Sequence, residues 1–261
     1  MSIDLKTISQ LREMTGAGIG DCKHALEEAG SDLNKAVEIL RKKGEIKAAK
    51  KSERAANEGL VAIAEDGQRA AVVVLNCETD FVAKNEDFIR AVQDLAEQLL
   101  NLGLAEFKQK VDQKIKNELV VKIGENIQLG DFGIFAGEVL GSYLHANRRV
   151  AAVASLSGGS QELANDIAMQ IAAMAPKYLK PEDVPAADLD KEREIYREQL
   201  KNEGKPENIW DKIIQGKLNK YYEDVCLLNQ IFIKDDKKKI SDLLAAAGSD
   251  VMIKNFKRFS I

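Results

Sequence analysis

The sequence predicts an α+β protein in which an N-terminal three-helix domain precedes a core of two duplicated α+β subdomains, with an antiparallel helical-hairpin arm inserted in the core. Three observations predict this class. Apolar residues recur at helical spacing over residues 1–45, and a strand–strand–helix order occurs twice further along the chain. All four prolines lie within residues 176–206, beside a strongly charged stretch.

The N-terminal domain is assigned to residues 1–45. The first helix has one apolar face, formed by Leu5, Ile8 and Leu11. Residues 21–29 form a second helix after a glycine-rich break. Asp32 is a suitable N-cap for a third helix, which is expected to end at Gly44 because glycine commonly terminates helices.

Residues 46–58 are predicted to be a basic linker. The stretch is rich in lysine and has no sustained apolar pattern. Two interpretations remain open, a solvated connector or an extension that lies on a partner.

Subdomain N of the core is assigned to residues 59–138. Residues 60–64 and 70–75 have strand character, and the Asp-Gly pair between them favours a hairpin turn. The following helix has an apolar face at steps of four, three and four residues: Phe88, Val92, Leu95 and Leu99. Residues 122–129 together with Phe135 are expected to supply further strands.

Subdomain C, residues 139–180 and 225–261, repeats this order. Residues 139–145 and 149–156 are the predicted strands. The helix that follows has a second apolar face, formed by Leu163, Ile167, Ile171 and Met174. Later in the chain, strands 225–233 and 251–259 around a helix at 239–247 are expected to complete this sheet. The arm, residues 181–224, is therefore an insertion.

The arm itself consists of two highly charged segments, residues 188–202 and 208–222, joined at residues 203–206 by a Gly-Lys-Pro turn. Their apolar residues form only a narrow seam. An antiparallel helical hairpin that carries a contact of its own is expected.

Composition excludes several classes of protein. No run approaches the roughly 20 apolar residues that span a bilayer, and the first residues lack the organisation of a signal peptide, so a cytoplasmic location is expected. The net charge of -4 argues against a generic nucleic-acid binder. No phosphate-binding or dinucleotide-binding glycine motif occurs, and no cofactor is predicted.

Cysteine and histidine are scarce and scattered. Cys22, Cys77 and Cys226 form no CxxC pair, and His24 and His145 have no metal-ligand spacing, so neither a disulfide framework nor a metal site is predicted. A nucleophilic Cys77 would need one of the histidines brought near by folding. Its strand context favours a buried, inert thiol instead.

The duplication reveals an extra loop in the first copy. Aligning Arg69 with Arg149 offsets the numbering by 80, whereas aligning Phe88 with Leu163 offsets it by 75. The five extra residues lie within residues 77–87, where the second copy has only a Ser-Gly-Gly-Ser turn. Phe81 in this loop is either an exposed interface anchor or a side chain folded beneath its own helix, and the pattern leaves both open.

Two motifs resemble the bacterial elongation factor Ts family. They are Thr15-Gly16-Ala17-Gly18 followed by Asp21-Cys22-Lys23, and Thr79-Asp80-Phe81-Val82-Ala83-Lys84. Residues 46–51, residues 122–127 and Gly141-Ser142-Tyr143 with His145 also agree with that family. The resemblance covers essentially the whole chain.

This resemblance implies a ubiquitin-associated-like N-terminal domain and a guanine nucleotide exchange factor that performs no covalent chemistry. The implied partner is elongation factor Tu, bound in its GDP-loaded and nucleotide-free states in a 1:1 or 2:2 complex, with no direct contact to nucleic acid or membrane. Phe81 is implied to insert into the partner's GTPase domain and Asp80 to hydrogen-bond beside it. The other implied contacts are made by Ile123, Gly124, Lys23, Lys51, His145 and Ile233.

The alternatives to an exchange factor are a scaffold protein acting through the helical arm and, with less support, a cysteine-dependent enzyme using Cys77.

Overall fold

The computed structural model describes residues 3–261, apart from the side chains of residues 45 and 47–50. It is an α+β protein, as the sequence predicts. The chain divides into two compact units. The first comprises Met1–Phe135, Leu144–Ala151 and Phe259–Ile261, and the second comprises Ala136–Tyr143 and Ala152–Arg258.

Three helices form the N-terminal domain: α1 (Leu5–Thr15), α2 (Ile19–Glu28) and α3 (Leu33–Lys51). Asp4 caps α1 by accepting a hydrogen bond from the backbone N–H of Lys6, and Gly16 ends that helix at φ 67°. The three helices enclose a small core of Ile8, Leu11, Ala17, Cys22, Ala25, Leu26, Ala36 and Leu40.

The expected end of α3 at Gly44 is wrong, because the helix continues to Lys51. A Cβ atom at Gly44 would lie 2.5 Å from a Val121 methyl and 3.2 Å from the Lys116 carbonyl. Glycine is therefore needed here for close helix packing and does not stop the helix. The first part of the predicted linker 46–58 is helical, and the side chains at 47–50 lie outside the described part of the chain.

The first sheet has the order β1–β2–β3, with strands β1 (Glu58–Glu65), β2 (Arg69–Cys77) and β3 (Gln128–Ala136). Strands β1 and β2 form the predicted antiparallel hairpin, with Leu60 opposite Leu75. The helical segments between β2 and β3 are α4 (Asp80–Ala83), α5 (Glu86–Leu102), α6 (Leu104–Lys114), a π-helical turn (Ile115–Leu119) and α7 (Val120–Ile123).

Helix α5 buries Phe88, Val92, Leu95 and Leu99, as its apolar spacing predicts. The expected strand at residues 122–129 is wrong for most of its length, because Lys122 and Ile123 belong to α7 and β3 begins at Gln128. The helical segment extends to Ile123 because Leu119 and Val120 are buried in the core of the first unit.

The second sheet has the order β4–β5–β8, with strands β4 (Val139–Leu144), β5 (Val150–Leu156) and β8 (Ile253–Ser260). Helix α8 (Gln161–Met174) follows β5 along the chain. Ile167 and Ile171 of α8 are buried as predicted, whereas Met174 is 46% exposed because it lies in the last turn. The predicted repeat of strand, strand and helix is confirmed.

Between α8 and β8 the chain forms the arm: a 3-10 turn (Pro181–Asp183), α9 (Ala186–Asn202), a second 3-10 turn (Glu207–Ile209) and α10 (Trp210–Val225). Leu200, Ile214 and Leu218 are buried together towards the tip, near the turn that joins the two helices, whereas Leu189 and Tyr222 pack at the base. Since Leu189 precedes Leu200 while Tyr222 follows Ile214, the helices are antiparallel, as predicted.

The chain after the arm forms a 3-10 turn (Leu227–Asn229), β6 (Ile231–Phe232), β7 (Asp235–Lys239) and α11 (Ile240–Ala247) before β8. The predicted strand at 225–233 is therefore wrong over most of its range. The Val225 carbonyl accepts hydrogen bonds from the backbone N–H groups of Lys177 and Tyr178, so its polar group is satisfied outside a sheet ladder. The predicted helix at 239–247 and strand at 251–259 are confirmed.

None of the described helices is long and apolar enough to cross a membrane.

Candidate functional site

Helix α4 is a single exposed turn between β2 and α5. Thr79 has extended backbone angles, and its Oγ1 accepts a hydrogen bond from the Val82 N–H at 3.3 Å, which is the pattern of an N-cap. Val82 and Ala83 pack against the core of the first unit. Phe81, one position earlier on the turn, is 81% exposed. Of the two interpretations of Phe81 from sequence, the structure supports the exposed one.

Charged side chains flank this exposed ring. The Nζ atom of Lys84 lies 2.6 Å from Oδ2 of Asp80, one helical turn away. This hydrogen bond holds the pKa of Asp80 below its ordinary value, so the carboxylate stays ionised at neutral pH. Both side chains are solvated, and such a pair contributes little to stability. Asp80 and Lys84 are therefore available to a partner together with Phe81.

The base of α4 is held by the segment that follows α7. The Glu125 carboxylate accepts hydrogen bonds from the backbone N–H groups of Glu78 and Thr79, both at 3.0 Å, and from the Thr79 hydroxyl at 2.6 Å. In return, the Glu78 carboxylate accepts from the backbone N–H of Asn126 at 2.6 Å. The two segments are therefore joined by reciprocal hydrogen bonds.

Three further predicted residues lie on this same segment or contact it. Gly124 ends α7 at φ 85°, a left-handed conformation that favours glycine, and Ile123 packs against the core beneath α4. The Nζ atom of Lys51 donates a hydrogen bond to the Gly124 carbonyl. The structure thus brings Lys51, Ile123 and Gly124 together with residues 79–84 through Glu125.

The turn after His145 also approaches α4. Asp80, Ala83 and Lys84 line a cleft of about 380 Å³ together with residues 146–149. His145 is exposed, and its carbonyl accepts a hydrogen bond from the Arg148 N–H at 2.7 Å within this turn.

Lys23 and Ile233 lie elsewhere in the chain. Lys23 is exposed on α2, with its Nζ 3.9 Å from Glu27. Ile233 follows β6 in the second unit, is 42% exposed, and donates its backbone N–H to Gln170 Oε1 at 2.9 Å.

Cys77 ends β2 directly beneath this site and is fully buried. Burial and, to a lesser extent, the neighbouring carboxylates of Glu125 and Glu58 together raise the pKa of its thiol to about 11. A thiol in this environment is protonated at neutral pH and is a poor nucleophile. Among the described residues, His24 pairs with Glu27, and no group of three or more His, Cys, Asp or Glu residues could hold a metal ion.

The equivalent position in the second copy is closed. The Ser157 hydroxyl donates to the Asp250 carbonyl at 2.7 Å and accepts from the Met252 N–H at 2.9 Å. A Cβ atom on Gly159 would lie 3.2 Å from a Val251 methyl. The turn that replaces α4 is thus covered by residues 250–252, and the exposed aromatic turn belongs to the first copy alone.

A protein-family model described as Elongation factor TS matches residues 78–261, which include α4, Ile123, Gly124 and the second copy. The chain belongs to the elongation factor Ts family. Curated members of this family also match the N-terminal helices, because their similarity covers essentially the whole chain. Membership makes this chain a translation elongation factor that acts in nucleotide exchange.

Three relatives illustrate this similarity to elongation factor Ts. That of Aquifex aeolicus (strain VF5) is 42% identical over 285 residues, covering 100% of this chain and 98% of the relative. That of Hydrogenobaculum sp. (strain Y04AAS1) is 43% identical over 274 residues, covering 100% and 99%. That of Clostridium perfringens (strain SM101 / Type A) is 42% identical over 279 residues, covering 98% and 92%.

Membership of the elongation factor Ts family accounts for the motifs found in the sequence. The structure identifies one more residue of the α4 site, Glu125. Glu125 lies within the matching segment 122–127, but no sequence pattern indicates that it contacts residues 78–79. Its isolated position in a polar stretch gives no signal of the three hydrogen bonds that it accepts. Only the fold brings residues 78–79 and 125 within reach of each other.

Proposed function

We propose that this chain is the guanine nucleotide exchange factor of elongation factor Tu. It binds the GDP-loaded partner, inserts Phe81 into the GTPase domain, disturbs the magnesium and phosphate site, and releases GDP so that GTP can bind. The observation that carries this proposal is the exposure of Phe81 on a short turn whose base is held by hydrogen bonds.

The physical basis of the exchange is differential binding. A factor that binds the nucleotide-free partner more tightly than the GDP-bound partner must weaken GDP binding by the same ratio. Burying an aromatic ring in a partner pocket contributes about 1.5–3 kcal/mol. An 81% exposed ring gains nearly all of this only when the partner covers it.

The remaining predicted contacts accompany the insertion of Phe81. Asp80 hydrogen-bonds to the displaced element of the partner, and Ile123 and Gly124 lie beside the same contact. Lys23 and Lys51 contact the GTPase domain, whereas His145 and the segment around Ile233 contact another domain of the partner. The complex has 1:1 or 2:2 stoichiometry and forms in the cytoplasm, where translation elongation takes place.

A scaffold protein acting through the arm is the second candidate. It is favoured by two apolar side chains on the arm, Ile195 and Ile209, which are each 39% exposed. The exchange proposal places the essential residue on α4, whereas the scaffold proposal places it on the arm.

One experiment separates these two functions. Release of a fluorescent GDP analogue from purified elongation factor Tu is followed after adding catalytic amounts of the wild-type chain or of Phe81→Ala. Loss of about 1.5–3 kcal/mol slows release roughly 10- to 150-fold in the variant. A second variant, with residues 193–217 replaced by a short glycine-rich turn, retains the base of the arm and is expected to keep the wild-type rate.

The matched control is Met252→Ala. Met252 is an apolar side chain, 51% exposed, beside the closed turn of the second copy, so its removal is expected to leave release unchanged. Wild-type release by Phe81→Ala, combined with loss of activity in the arm variant, would exclude the insertion of Phe81 as the mechanism and favour the scaffold.

A further inference from the structure

Helix α4 has no stability of its own. A single helical turn fixes several backbone dihedral angles for one or two hydrogen bonds, which is unfavourable in isolation. Its four residues, Asp80–Ala83, receive one internal cap from Thr79. What orders the exposed turn must therefore lie outside it.

Glu125 provides that external support. One carboxylate oxygen, Oε2, accepts from the Glu78 and Thr79 N–H groups at 3.0 Å each, and the other, Oε1, accepts from the Thr79 hydroxyl at 2.6 Å. Hydrogen bonds to an ionised acceptor are stronger than neutral ones. Because the Thr79 hydroxyl donates to Glu125, its lone pairs remain for the Val82 N–H, and the N-cap is held in one orientation.

Glu125 is in turn held in place. The Asn126 N–H donates to Glu78 at 2.6 Å, the Asn126 side chain is buried and donates to the Arg54 carbonyl at 2.7 Å, and Arg54 lies 3.6 Å from the Glu78 carboxylate. Lys51 donates to the carbonyl of the preceding Gly124. The Glu125 carboxylate is therefore held in a connected hydrogen-bond network and does not move freely as a surface side chain would.

We propose that Glu125 is a positioning residue for Phe81, fixing α4 so that the ring is presented in one orientation before the partner binds. This inference rests on the proposed exchange function and names the residue that positions Phe81 for insertion. Preorganisation of this kind raises affinity because less conformational entropy is lost on binding.

The donor count explains why a carboxylate is suited to this position. Three donor groups point at the two carboxylate oxygens of Glu125, and each oxygen can accept more than one hydrogen bond. In Glu125→Gln one oxygen is replaced by an amide NH2 group, which cannot accept a hydrogen bond, so the variant keeps part of the network. In Glu125→Ala all three donors lose their acceptor. We expect the Phe81 ring to be held most firmly in the wild type, less firmly in Glu125→Gln and least firmly in Glu125→Ala.

The first test reports on position 81 in the free protein, without any partner. Trp210 is the only tryptophan, so Phe81→Trp combined with Trp210→Phe places a single fluorophore at the site. Adding Glu125→Ala is expected to lower the fluorescence anisotropy of that tryptophan clearly, and Glu125→Gln to lower it by less. If Glu125 only stabilises a part of the protein other than α4, its replacement leaves the anisotropy unchanged. That result would overturn the proposal.

The second test is a double-mutant cycle in the exchange assay, with Phe81 native or replaced by alanine. Glu125→Ala alone is expected to slow GDP release roughly tenfold, since several charge-assisted hydrogen bonds are lost. In the Phe81→Ala background it should add less than about twofold, because its effect acts through the ring. Equal slowing in both backgrounds would contradict the proposal.

Failure of the two proposals can be told apart. If Phe81→Ala exchanges GDP at the wild-type rate, the exchange mechanism is wrong, while the anisotropy still decides whether Glu125 orders residue 81. Thermal unfolding followed by circular dichroism verifies that each variant is folded. If Glu125→Ala does not fold, Glu125→Gln carries both tests.

Discussion

Individual residues at the α4 site divide into those that are buried for stability and those that are exposed for contact. Cys77, Val82 and Ala83 pack inward, whereas Asp80 and Phe81 face solvent. An aromatic ring left in water has no stabilising role in the monomer, so its exposure is informative. Cys77 illustrates the opposite case, a reactive residue type made inert by its surroundings.

The three cysteines are expected to be unreactive in the folded protein. Cys22, Cys77 and Cys226 are all fully buried, and burial raises the pKa of the Cys77 and Cys226 thiols from 9.0 to about 11. At pH 8, a thiol reagent should label the native chain slowly and the denatured chain at three sites. Rapid native labelling of Cys77, or loss of GDP exchange in Cys77→Ser, would revive the cysteine-enzyme hypothesis.

The raised pKa of Cys77 also determines the direction in which the free energy of unfolding changes at alkaline pH. Because the folded-state pKa of Cys77 lies above its unfolded value, the contribution of this thiol is fully present below pH 9 and is lost as pH rises towards about 11. The free energy of unfolding should therefore fall over this range, and fall less steeply in Cys77→Ser.

Sequence predicted some of these residue environments and not others. The burial of Cys77 followed from its place at the end of an apolar strand. The exposure of Phe81 did not, because an aromatic residue beside a helix fits a core or an interface equally well, and only the inward packing of Val82 and Ala83 decides it. The role of Glu125 depends on a contact across 46 positions of sequence, which spacing cannot reveal.

At the scale of elements, the strongly periodic helices and the hairpin were predicted correctly, and errors arose where tertiary contacts override local signals. Gly44 resembles a helix stop but is a close-packing position inside α3. Residues 225–233 have strand composition, yet a 3-10 turn and a two-residue strand form there, because residues 177–179 satisfy their backbone groups. Propensity is a weak guide at such sites.

The arm is expected to depend on a small apolar cluster near its tip. Leu200 is 1% exposed and packs with Ile214 and Leu218. Leu200→Ala should destabilise the hairpin by about 2–5 kcal/mol through lost burial and a cavity. Trp210, whose indole N–H donates to the Lys205 carbonyl at 2.8 Å, is a native reporter, so its fluorescence transition should move to lower denaturant concentration.

The matched control for this prediction is Ile195→Ala on the same helix. Ile195 is 39% exposed, so its truncation should cost much less. Equal shifts of the Trp210 transition in the two variants would show that the cluster of Leu200, Ile214 and Leu218 does not hold the arm together.

On the scale of the whole molecule, the duplication separates folding from function. Each copy places two neighbouring strands and a following helix in the same order, and each buries the apolar face of that helix. The copies differ at the strand-to-helix connection, which is open and aromatic in the first and closed by residues 250–252 in the second. The proposed function thus depends on a local departure from the repeat.

Converting the first connection into the second is therefore expected to remove function while preserving the fold. Residues 78–85 are replaced by Gly-Gly-Ser, which leaves Cys77 and Glu86 in the positions of Ser157 and Gln161. Losing the burial of Val82 and Ala83 should cost about 1–3 kcal/mol, which lowers the melting temperature without abolishing cooperative unfolding.

GDP release from elongation factor Tu with this chimera should be as slow as with Phe81→Ala, or slower, because Asp80 and Lys84 are lost as well. The comparison with Phe81→Ala isolates the ring from the rest of the turn. A folded chimera that still exchanges nucleotide at the wild-type rate would show that the exposed turn is dispensable and that the contact with elongation factor Tu lies elsewhere in the chain.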